Sequence, residues 1–76
     1  TKIIFTLPEN MQISVNIYDI KGRRVRTLVA GSYRPGNHYV NWNGDDQYGL
    51  KVSSGIYFYE LRGEDLVDTR KMLLIK

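Results

Sequence analysis

No cysteine occurs among the 76 residues, so neither a disulfide frame nor a thiolate metal site is available to staple so short a chain. Stability must come from packing and strand pairing. No uninterrupted apolar run approaches the roughly 18 residues of a membrane-spanning helix, so no transmembrane segment is expected. Apolar residues never recur at helical spacing for more than a turn, which removes a helical bundle from consideration. The charge imbalance is small: 11 basic and 8 acidic residues leave +3. That is no nucleic-acid footprint, and no nucleic-acid partner is expected. His38 is the one histidine, and no Ser or Cys nucleophile sits in a recognisable elbow beside a general base. The sequence therefore predicts no enzyme, no catalytic residue, no cofactor and no metal site.

What is present is apolar and aromatic. Hydrophobic residues make up 42% of the chain, with six Tyr, two Phe and one Trp, more than a disordered segment of similar charge carries. A domain of this size buries only about 60% of its unfolded surface, so the core must be thin. Alternation of period two dominates. Residues 1–7 put Ile3, Phe5 and Leu7 on one face, and Pro8 ends that strand. In residues 11–19, Met11, Ile13, Val15 and Ile17 oppose Gln12, Ser14, Asn16 and Tyr18. Lys21-Gly22-Arg23 reads as a tight turn with Gly22 at positive φ.

Residues 24–29 read as a third strand, 30–36 as a connection closed by Pro35-Gly36, and 37–42 as a fourth strand with His38, Val40 and Trp42 on one side. Residues 43–55 form the one long irregular stretch, rich in Gly, Asp, Asn and Ser. Residues 56–62 and 66–75 make a last hairpin about Gly63-Glu64-Asp65, with Met72 and Leu74, or Leu73 and Ile75, entering the core. Six or seven short strands with turn signals roughly every 8 to 12 residues predict an all-β antiparallel sandwich or small barrel, one domain over residues 1–76. The start at Thr1, already in a strand, suggests a piece cut from a longer chain, and any signal peptide is expected upstream of it.

Four residue groups invite a functional reading, and each has a plainer one. Asp45 and Asp46 in a Gly-rich loop suggest calcium, but the bidentate Glu of a calcium loop is missing and turn chemistry fits better. Lys21, Arg23, Arg24 and Arg26 form a basic cluster suited to an anionic ligand. Strand alternation sends Arg24 and Arg26 to one face, where charge also discourages edge pairing. Tyr18, Tyr33, Tyr39, Tyr48, Tyr57 and Tyr59 suit a glycan platform or, more simply, cross-strand packing. Lys2, Asn16 and Glu60 carry the groups of an intramolecular crosslink, although no spacing supports it. Trp42 reads as a core anchor between thin sheets.

The string IYDIKGRRVRTLV at residues 17–29 is followed in order by Gly36-Asn37-His38, Trp42-Asn43-Gly44-Asp45, Gly49, Ser54-Gly55-Ile56-Tyr57-Phe58-Tyr59 and Lys71-Met72-Leu73-Leu74. This succession resembles the immunoglobulin-like domain of the flagellar hook-capping protein and its relatives, which include type A C-terminal sorting domains of the type IX secretion system. Many relatives carry Asp where this chain has Asn43. The resemblance implies an immunoglobulin-like antiparallel β-sandwich of about six or seven strands, with structural positions at Gly22, Trp42, Gly44, Gly49, Gly55 and Tyr57. It also implies a C-terminal sorting or attachment module of an exported bacterial protein, recognised through Lys71, Met72, Leu73, Leu74, Ile75 and Lys76. The expected partners are the secretion machinery or neighbouring subunits, with a cargo domain upstream in the same chain and a location at the outer cell surface or outside the cell. The alternative is a structural spacer or assembly domain of the hook-cap or surface-filament kind; a glycan-binding module ranks third.

Overall fold

The computed structural model describes residues 1–75; Lys76, the last of the expected recognition residues, lies outside them. Six strands form, with no helix among the described residues: β1 Lys2–Leu7, β2 Met11–Asp19, β3 Arg24–Tyr33, β4 Gly36–Asn41, β5 Gly55–Arg62 and β6 Val67–Leu74. They pair antiparallel in two sheets, β1-β4 and β3-β2-β5-β6. The result is an immunoglobulin-like β-sandwich, in which β1 and β4 lie over a wider sheet.

Alternation places the core where the sequence put it. Ile3, Phe5 and Leu7 from β1 meet Ile13, Val15 and Ile17 from β2, with Tyr57, Leu61 and Leu74 from the last hairpin. Trp42 is completely buried. Its Nε1–H donates to the Asp45 carbonyl at 2.8 Å, and its ring meets Tyr57 edge-on at 5.1 Å between centroids. The indole thus fills the space between sheets while its one polar atom is satisfied. Met72 and Leu74, rather than Leu73 and Ile75, turn inward from β6.

β3 differs from expectation. It does not stop at Val29 but runs to Tyr33, which pairs with Met11; residues 30–33 are strand, not connection. Ala30-Gly31-Ser32 has turn composition, and pairing against β2 overrides it. Two register shifts interrupt the β2-β3 ladder, leaving Leu28 and Val25 without cross-strand partners. Each extra residue restarts the alternation, so Arg26 lies opposite Ile17 on the core side and Arg24 opposite Tyr18 on the outer side. The expectation that Arg24 and Arg26 share a face is therefore wrong.

The β2-β3 turn is held by Asp19. Its carboxylate accepts from the amides of Lys21 and Arg23, both at 2.9 Å, while Gly22 supplies φ 81°. The long loop is ordered in the same way. Asp46 Oδ1 accepts from the amides of Tyr48 and Leu50 at 2.9 and 3.0 Å, and Asp45 bridges to Lys51. Gln47 then covers the outer edge of β3: its amide donates to Val25 O at 3.1 Å and its side-chain oxygen accepts from the Thr27 amide at 3.0 Å.

Candidate functional site

The outward face of the four-stranded sheet is built in cross-strand rows. Asn16 lies between Thr27 and Glu60, and Glu60 lies beside Thr69. Below that row come Arg24, Tyr18, Phe58 and Lys71, and below that Ile56 and Leu73. The upper part is polar and internally paired. Thr27 Oγ1 donates to Asn16 Oδ1 at 2.8 Å, and Asn16 Nδ2 donates to Glu60 Oε1 at 3.3 Å. Arg62 holds Glu60 through both carboxylate oxygens at 3.2 and 3.1 Å. The Arg62 hydrogen bonds hold the Glu60 carboxyl below the ordinary glutamate range; burial opposes this, and bonds from Asn16 and Tyr18 assist.

The lower part is apolar and unpartnered. Ile20, Ile56 and Leu73 are 70%, 41% and 61% exposed, with Phe58 half-buried between them. Shallow depressions flank this patch, one lined by Tyr18, Ile20 and Phe58, the other by Ile56, Lys71 and Leu73. Lys21, Arg24 and Lys71 border it and make no ion pair among the described residues. Exposed apolar side chains gathered on one sheet face and rimmed by charge are the marks of a protein-docking surface.

The other candidates dissolve into structure. Asp45 pairs with Arg26 at 2.7 Å and Asp46 is occupied by backbone amides, so both carboxylates serve the loop. Arg23 is held by Asp19 at 2.9 Å, which splits the basic cluster. Tyr33, Tyr57 and Tyr59 pack in or against the core, Tyr18 donates its hydroxyl to Glu60 Oε1 at 3.4 Å, Tyr39 lies under the Lys2 ammonium at 4.5 Å, and Tyr48 is solvent-exposed; the six form no platform. His38 stacks on Phe5 at 5.4 Å and its Nε2–H donates to Arg34 O at 2.7 Å. Asn16 and Glu60 do meet, but Lys2 sits on the other sheet with Tyr39, so no crosslink triad exists.

Of the expected recognition residues, Lys71 and Leu73 face outward, Met72 and Leu74 face the core, and Ile75 is exposed. The exposed apolar patch joins Lys71 and Leu73 to Ile20, Ile56 and Phe58, to which the sequence analysis gives no functional reading. The signal was there: residues 56–59 and 72–75 are apolar in both phases of the alternation, the pattern of strands with apolar side chains on both faces.

A family model described as the FlgD Ig-like domain matches residues 1–65, all but the last strand and its approach. No curated protein and no solved structure matches the chain.

Proposed function

The chain belongs to the FlgD Ig-like domain family, and from that premise we propose that it is a structural unit of an exported bacterial assembly. It meets neighbouring subunits through the lower outward face of its four-stranded sheet, as a hook-cap-like spacer or assembly domain, and it carries out no chemistry of its own. One observation carries this reading: Ile20, Ile56 and Leu73 are exposed together on one face, bordered by Lys21, Arg24 and Lys71, which make no ion pair among the described residues. The opposite sheet exposes a smaller cluster, the cross-strand pair Ile4 and Tyr39, with the Lys2 ammonium over the Tyr39 ring. The test is Ile56→Asp in the full-length protein. Incorporation into the exported assembly should fall while the melting temperature holds; unchanged incorporation would remove the reading.

A second reading, sorting through the type IX secretion system, is supported by Lys71 and Leu73 facing outward from the last strand. Deleting residues 71–76 is a poor test of it, because Met72 and Leu74 are core residues and their loss unfolds the domain. Lys71→Ala with Leu73→Ala is the better pair. Export should then fail with the domain still folded, and normal export of the cargo would leave the assembly role alone.

A further inference from the structure

We propose that β6 accepts an added strand from a partner, an extended segment with apolar residues on one face and carboxylates on the other. The inference rests on the assembly reading and names the chemistry of its partner. Four observations converge on this edge.

First, β6 is the free edge best formed for pairing. It holds eight residues in unbroken register with β5, and among the described residues its backbone pairs with no other strand. β3, the opposite edge, is interrupted by two register shifts and covered by Gln47, two devices that block strand addition. β1 and β4 are shorter, at six residues each.

Second, the sandwich is open beside β6. A groove of about 300 Å³ runs between β6 and β1, with Ile3, Phe5, Val15, Tyr59 and Leu61 among its lining residues and Asp68 and Arg70 at its rim. A strand hydrogen-bonded to β6 would direct alternate side chains into this groove, where apolar ones fit.

Third, its remaining side chains would continue the outward rows beside Lys71 and Leu73, extending the docking face. Lys71 has no ion partner among the described residues, so a carboxylate opposite it is favoured.

Fourth, the edge charge disfavours a second copy of the same strand. Antiparallel pairing of β6 with itself centres on Arg70 and Lys71 and brings like charges together. Arg70 is only weakly engaged by Asp68, at 3.4 Å with both side chains well exposed. The symmetric pairings centred on Arg70 or on Lys71 are therefore disfavoured, while an acidic strand is favoured beside Lys71.

The test uses the 76-residue chain and a capped peptide of alternating valine and glutamate matched in length to β6, with a valine–lysine peptide as control. Amide resonances and hydrogen exchange are followed by NMR. The valine–glutamate peptide should slow exchange along β6 and shift residues lining the groove, and salt should weaken it. Lys71→Glu should weaken it several-fold while the melting temperature and the rest of the spectrum stay as in the parent chain. Equal binding of the valine–lysine peptide, no binding of either, or shifts confined to the Lys21–Arg24 turn would each overturn the proposal. So would concentration-dependent protection of β6 without peptide, which assigns the edge to a second copy. Any of these failures leaves the outward face and Ile56→Asp untouched, so the assembly reading stands or falls separately.

Discussion

Gly44 sits so close under Leu74 that a β-carbon there would lie 3.2 and 3.3 Å from its two δ-carbons. This contact joins the long loop to the end of β6, and Gly44 adopts φ 72° to make it. Gly44→Ala therefore meets two costs, a left-handed backbone on a residue with Cβ and a displaced core leucine. We expect a loss of about 1–3 kcal/mol in chemical denaturation. Combined with Leu74→Ala, the loss should be smaller than the sum of the two single losses, because the clash is relieved. Strict additivity would show that the approach is not tight.

Trp42→Ala should cost about 3–5 kcal/mol, the range for deleting a buried aromatic. A chain of this length has about 4–11 kcal/mol in total, so the loss removes anything from about a quarter of that margin to all of it. A denaturation curve that overlays the parent would contradict the placement of the indole between the sheets.

Much of this core was legible because β1 and β2 alternate cleanly, with Ile3, Phe5, Leu7, Ile13, Val15 and Ile17 all where period two put them. The long loop was legible as turn chemistry. β3 was legible only from Arg24 to Val29: its bulges at Val25 and Leu28 break the period, and Ala30-Gly31-Ser32 has no strand preference without β2 beside it. The Asn16–Glu60 contact spans 44 positions, a separation that local patterning does not report. The exposed apolar patch was half legible: Lys71 and Leu73 belong to the chain-end residues that the resemblance singles out, but only the register shows Ile56 and Phe58 beside them.

The acid limb of stability should involve Glu60. Its carboxyl is held below its ordinary value by Arg62, so it contributes stability that is full above the unfolded glutamate range and is lost as pH falls through the lower folded value. Arg62 is more than half exposed, which keeps the effect modest. Urea midpoints should fall between pH 6 and pH 3, taken as roughly bracketing the carboxylate range. In Glu60→Gln that fall should be shallower, with the remainder owed to groups such as Asp19, also held low by its bonds from Arg23. Identical pH slopes would remove Glu60 from the account.

Asp45 and Asp46 are occupied by Arg26 and by backbone amides. Calcium or a chelator should therefore leave the melting temperature unchanged, whereas Asp46→Ala should cost about 0.5–2 kcal/mol through its two lost amide bonds. A calcium-dependent rise of several degrees would reassign the loop as an ion site.

The central claim is that the lower outward face meets a neighbouring subunit. The most direct measurement places a photo-crosslinking side chain at Leu73 in the full-length protein, and separately at Tyr39, which is equally exposed on the other sheet. Both are irradiated within the purified exported assembly. The account predicts an adduct to a neighbouring subunit from position 73 that is lost when Ile56→Asp is added, and none from position 39. Adducts from 39 but not from 73, or from neither in an intact assembly, would contradict it.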